Sequence, residues 1–178
     1  AAIAGIREVD PAGAIGVIGA ETHPPYDRPP LSKGLWKDKS LESIWRKTND
    51  KGVTFHLGRT AKTLYPRNKR VTDDQGTVYF FDRLLLATGS TPRRLPFGNG
   101  QIIYFRTLDD YQRLHRLAEE GRRFAVIGGG FIGSEVAAAL AINGNEVVMI
   151  FPGKAISSNI FPPDLAQSVN DYYRQKGV

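Results

Sequence analysis

The stretch "FAVIGGGFIGSEVAAAL", residues 124–140, leaves a chain few folds to choose from. Apolar Phe124–Ile127 read as a strand, glycines follow, and the Ala-rich run after them reads as a helix. An Asn-Gly-Asn break and a second apolar run, Glu146–Phe151, complete a βαβ unit. The glycines fall in the pattern G-x-G-x-x-G on Gly128, Gly130 and Gly133, with Gly129, Phe131 and Ile132 between them. Gly128 permits the tight turn, Gly130 lets a pyrophosphate approach the backbone, and Gly133 lets helix and strand pack closely. The helix start then offers free N–H groups and partial positive charge to phosphates.

An acid that binds the adenosine 2′-hydroxyl usually ends the second strand of such a unit. Here the residues are Phe151-Pro152-Gly153-Lys154. Lys154 either accommodates a 2′-phosphate or points to solvent, and the sequence leaves NADH and NADPH both open. Half of a second nucleotide site lies upstream. Residues 14–20, "AIGVIGA", read as a buried strand ending at Glu21, an acid placed to hold a ribose. The helix expected over residues 1–9 lacks a preceding strand and glycine loop, so the chain is expected to be a piece of a longer protein.

Composition narrows the chemistry. There is no cysteine, which removes disulfides, Fe–S ligation and redox dithiols from this stretch. The three histidines, His23, His56 and His115, show no metal-ligand spacing, and no metal site is expected. No apolar run approaches the roughly 20 residues of a membrane span. The net charge of +6 attracts anions, but its lysines and arginines are scattered, so a nucleic-acid surface is not expected.

The most unusual loop is "PPYDRPPLSKGLW", Pro24–Trp36. Its prolines exclude helix interior and central strand, and they stiffen a segment that carries Arg28 and Lys33. Beyond it, a helix is expected over Leu41–Asn49 with Ser40 as cap, a strand over 53–58, and a β-ribbon over 61–81 turning at Asp74-Gln75-Gly76. A buried strand is expected in "RLLLATGS", residues 83–90, followed by a linker through "LPFGNGQ". Two further helices are expected, one capped by Thr107 and ended by Gly121, the other running to the last residue. Trp36 and Trp45 read as packing residues.

Three motifs in this order and spacing, "PYDRPPLSKGLW", "FDRLLLATGSTPRRL" and "VIGGGFIGSE", resemble the FAD/NAD(P)-dependent pyridine nucleotide oxidoreductases with two dinucleotide-binding domains. The chain looks most similar to the branch holding apoptosis-inducing factor and the ferredoxin and rubredoxin reductases. The resemblance implies an α/β fold with two Rossmann-like, three-layer ββα domains, both incomplete. These are a partial FAD-binding domain over 1–100 and a partial NAD(P)-binding domain over 101–178. It implies FAD and NAD(P)H as cofactors. Glu21, Arg28, Lys33, Ala87, Thr88, Gly89 and Arg106 would meet FAD. Gly128, Gly129, Gly130, Phe131, Ile132 and Gly133 would meet the nicotinamide nucleotide. Lys33 and Glu135 would form an ion pair bridging the domains beneath the flavin, and Phe131 would cover the nicotinamide pocket. Missing cysteines set the chain apart from the disulfide-reducing branches.

The implied activity is hydride transfer from nicotinamide to flavin N5. Electrons then pass to a ferredoxin- or rubredoxin-type carrier protein, a quinone or oxygen. A redox-sensing interaction protein with slow NADH oxidation is the alternative, and a flavin-free nucleotide-binding scaffold the third reading. The resemblance leaves room for a homodimer of the full-length protein. It implies a cytoplasmic location in a bacterium and a mitochondrial one in a eukaryote.

Overall fold

The computed structural model describes residues 2–48, 52–98 and 100–178. The expected helix end at Asn49 and Asn99 of the expected linker lie outside them. The chain forms two packed units that interleave in sequence. The first is Ala1–Asp27 with Ile44–Ser90, and the second is Arg28–Ser43 with Thr91–Val178. The segment Arg28–Ser43, with the second half of the proline-rich loop, thus packs with the C-terminal part of the chain.

In the first unit, helix α1 (Ala2–Val9) leads into strand β1 (Ile15–Gly19), which pairs in parallel with β2 (Val53–Leu57), Ile15 opposite Val53. The guanidinium of Arg7 ties the helix to the start of both strands, donating to the carbonyls of Gly13 at 2.7 Å and Gly52 at 3.0 Å. Strands β3 (Ala61–Tyr65), β4 (Arg70–Asp73) and β5 (Val78–Phe80) form an antiparallel ribbon. Its hub is Asp73, whose side chain is fully buried. One oxygen accepts the Gln75 and Thr77 amides, both at 2.9 Å, and the other accepts Arg59 Nε at 2.7 Å and the Tyr79 hydroxyl at 2.8 Å. Burial alone would raise the Asp73 pKa, yet these four donors hold it at about 2.

Two expectations fail in this part of the chain. Residues 83–90 form no strand, and Leu84, Leu85 and Leu86 stand 41, 64 and 66% exposed. An apolar run becomes a buried strand only where a neighbouring strand receives its N–H and C=O groups, and among the described residues none pairs with it. The expected helix at 41–49 is a single 3-10 turn, Leu41–Ile44. Its continuation runs antiparallel to residues 25–27 instead: the Asp27 amide donates to the Ile44 carbonyl and the Arg46 amide to that of Pro25. Pro24 and Pro25 hold their side extended, and the Trp45 ring meets Tyr26 edge-on at 6.1 Å.

The second unit is built on strands β6 (Arg123–Ile127) and β7 (Glu146–Ile150), paired in parallel. Helix α3 (Phe131–Ile142) crosses between them. Helix α2 (Leu108–Glu119) precedes them, and α4 (Pro163–Gln175) follows, ending three residues before the last residue. Thr107 and Asp110 form a reciprocal capping box at the start of α2, worth about 1 kcal/mol. Its buried face is Leu108, Tyr111, Leu114 and Ala118, with Leu117 turned partly outward.

Two short 3-10 turns, Pro29–Ser32 and Gly34–Trp36, dock the proline segment into this core. Leu31 is 1% exposed and Trp36 5%. Burying a leucine fully contributes about 1.5–3 kcal/mol. The Trp36 indole donates to the Leu31 carbonyl at 2.7 Å and meets the Tyr111 ring edge-on at 5.5 Å, and the Tyr111 hydroxyl donates to the Leu35 carbonyl at 3.1 Å.

The depressed Asp73 pKa carries a sign. Its contribution to stability is complete above the ordinary carboxylate value of 3.8 and is lost as pH falls toward about 2. Thermal melts followed by circular dichroism between pH 5 and 2 are expected to show this acid limb. In Asp73→Asn the limb flattens and the melting temperature at pH 7 falls.

Candidate functional site

The glycine turn between β6 and α3 has a distinct geometry at each position. Gly128 takes φ +123°, a conformation that disfavours any side chain. A Cβ on Gly133 would stand 2.1 Å from the Gly128 carbonyl oxygen, so the helix closes on the turn only because that atom is missing. At Gly130 the reverse holds. It caps α3 without a side chain, and an added Cβ would meet nothing within 4 Å. The first turn of an α-helix has N–H groups without intrahelical partners. Open space in front of such donors is a cradle that fits a phosphate, so the residues present fit a dinucleotide.

The loop after β7 closes one side of this turn. The Phe151 ring lies 2.7 Å from where a Cβ of Gly129 would be, and the Ser157 amide donates to the Gly129 carbonyl at 2.7 Å. Phe131 and Ile132, just past the turn, are 53 and 54% exposed, and the Phe131 ring meets Phe161 at 6.2 Å.

Glu135 follows Gly133 by two residues on the first turns of α3. Its Oε2 accepts from Lys33 Nζ at 2.7 Å and from the Ser32 hydroxyl at 2.6 Å. The prolines and the buried Leu31 fix the turn that presents both donors. Ser32 is buried, whereas the Lys33 side chain is 56% exposed. One of three ammonium protons is spent on Glu135, which leaves Lys33 able to face an electron-rich group. Both residues lie in the second unit, although they stand on either side of residue 100 in the sequence. The Tyr173 hydroxyl donates to the Ser134 carbonyl at 3.2 Å, and burial together with the Glu135 charge raises its pKa. Lys33, Lys37, Glu135, Ile142 and Tyr173 line a shallow cleft of about 250 Å³.

The other expected residues fall as follows. Arg28 Nη1 donates to the Arg106 carbonyl at 2.9 Å, which brings two expected cofactor contacts together in the second unit. In the first unit, Glu21 accepts from the Tyr26 hydroxyl. Ala87, Thr88 and Gly89 are exposed in the irregular segment, with Gly89 at φ +66°. Sequence reasoning missed Ser32, Tyr26 and Tyr173. Ser32 and Tyr26 sit inside the proline loop, and only its stiffness hinted that neighbours of Arg28 and Lys33 matter. Nothing marks Tyr173. Among the described residues no cluster of His, Cys, Asp or Glu could hold a metal, and no helix is long and apolar enough to cross a membrane.

Residues 1–178 match the family model for pyridine nucleotide-disulphide oxidoreductases. The chain is 32% identical over 181 residues to the ferredoxin reductase subunit of 5,5′-dehydrodivanillate O-demethylase from Sphingobium sp., covering 97% of this chain and 44% of that protein. It is 30% identical to mitochondrial apoptosis-inducing factor 1 of Dictyostelium discoideum, covering 99% and 38%. Putidaredoxin reductase, solved in covalent complex with putidaredoxin, matches with a TM-score of 0.89 at 30% identity, over 99% of this chain and 45% of that one. The chain thus spans less than half the length of these relatives.

The two glycines separate by their effect on stability. Gly133→Ala is expected to cost about 1–3 kcal/mol, because its Cβ must push backbone aside. Gly130→Ala is expected to cost only about 0.5–1 kcal/mol, the loss of a good cap. Urea denaturation of the two variants checks the order.

Proposed function

The chain belongs to the pyridine nucleotide-disulphide oxidoreductase family, and from that premise we propose that it forms the cofactor-facing part of an FAD-dependent NAD(P)H oxidoreductase whose electrons leave to a small electron-carrier protein, a quinone or oxygen. The observation that carries this reading is the Lys33–Glu135 pair, held on the same helix turn that begins at the glycine cradle. When bound, the nicotinamide and flavin supply the redox chemistry, a hydride passing from nicotinamide C4 to flavin N5.

The residues do the rest. The open face at Gly130 and the α3 N-terminus bind pyrophosphate. Phe131, half exposed beside them, covers the nicotinamide. Lys33 balances the negative charge that reduced flavin gains, and Ser32 and Glu135 keep its ammonium in one place. In the second unit, Arg28 is tied to the Arg106 carbonyl, and the two guanidinium groups suit an anionic cofactor. Taken by itself, the first unit offers the Glu21 carboxylate, held by the Tyr26 hydroxyl, to ribose hydroxyls, and the exposed backbone of Ala87, Thr88 and Gly89 to a nucleotide. The ferredoxin reductase named among the relatives supports a small carrier protein as acceptor.

A second reading is a redox-sensing interaction protein that oxidises NADH slowly. The match to apoptosis-inducing factor over 99% of the chain favours it.

Stopped-flow mixing of the intact flavoprotein with NADH and with NADPH is the test. Bleaching of the flavin absorbance by either is expected, and none with both would refute the reductase. Lys33→Met is expected to slow the bleaching at least about tenfold, since a charge aimed at developing charge is a large catalytic contribution. Fast turnover with a carrier protein favours the enzyme, and a persistent long-wavelength band favours the sensor.

A further inference from the structure

Dinucleotide-binding βαβ units hold an adenosine 2′-hydroxyl with a carboxylate at the end of the second strand, and accommodate a 2′-phosphate where a cation stands nearby instead. Residues 147–163 read "VVMIFPGKAISSNIFPP", and their only ionisable side chain is Lys154. The nearest acid before them, Glu146, starts β7 and is paired with Arg123 at 3.0 Å.

The loop bearing Lys154 is fastened to the middle glycine of the cradle from both sides, by the Phe151 ring on Gly129 and by the Ser157 amide on the Gly129 carbonyl. Ala155, Ile156 and Ser157 are 4, 3 and 2% exposed. Ser157 takes φ +54°, a left-handed conformation that a loop keeps only where its surroundings enforce it. Lys154 itself is exposed and, among the described residues, has no hydrogen-bond or ion-pair partner. Its ammonium therefore keeps three donors to offer.

We propose that the second unit takes a 2′-phosphorylated adenine dinucleotide, NADPH, at least as tightly as NADH, and that Lys154 is the residue that sets this preference by binding the 2′-phosphate. This rests on the dinucleotide reading above and deepens it.

The test measures affinities of NADPH, NADH, 2′,5′-ADP and 5′-AMP for the intact flavin-loaded protein, in the wild type, Lys154→Ala and Lys154→Glu. A charge-assisted contact to phosphate predicts 2′,5′-ADP binding about tenfold tighter than 5′-AMP, an advantage that Lys154→Ala removes. Lys154→Glu turns the preference toward NADH, and added salt erodes it in the wild type. Equal affinity for 2′,5′-ADP and 5′-AMP in the wild type, or a preference that survives Lys154→Ala, overturns the proposal. If NADH binds and NADPH does not, this inference falls and the dinucleotide reading stands. If neither coenzyme binds, the reading falls and takes the inference with it.

Discussion

One carboxylate oxygen organises the candidate site. Oε2 of Glu135 receives a hydroxyl from Ser32 and an ammonium from Lys33, consecutive residues of a turn more than 100 positions away in sequence. Neither donor could be held there by a flexible loop. Ordering a lysine costs side-chain entropy, and an exposed ion pair alone returns about 0–1 kcal/mol. The energy comes from elsewhere, from Leu31 and Trp36 buried against α2 and α3 and from prolines that restrict the unfolded chain. Burial supplies the stability, and the polar pair supplies the position.

The same division appears at the glycine turn. Gly133 contributes by lacking an atom, which lets α3 start directly against the Gly128 carbonyl. Gly130 contributes by leaving space. One glycine closes the fold and the other keeps it open where a ligand enters, although the two residues are indistinguishable as letters. The Phe151 ring and the Ser157 amide then settle on Gly129, which ties the following loop to the turn.

What could be read from sequence follows from how local each signal is. The glycine spacing, the Thr107–Asp110 cap and the Gly121 stop act within a few residues, and the βαβ unit and α2 were visible for that reason. Residues 83–90 and 41–49 were misread because strand and helix there depend on partners. Leu84–Leu86 have the composition of a buried strand without a ladder, and Trp45 prefers Tyr26 to a helical turn. Lys33 and Glu135 were named from motifs, but Ser32 was not. A serine becomes notable only when the fold brings its acceptor to it. That residues 28–43 join the C-terminal half was equally invisible, since packing and not chain order decides it.

The Asp73 hub has a dynamic consequence. Two amides from the turn between β4 and β5, a phenol from β5 and the guanidinium of Arg59 before β3 converge on a single side chain of β4. None of these partners can be released without weakening the others' shared anchor. The ribbon should therefore open as one cooperative unit, with the Gln75 and Thr77 amides exchanging their protons with solvent through one common event and not by independent fraying.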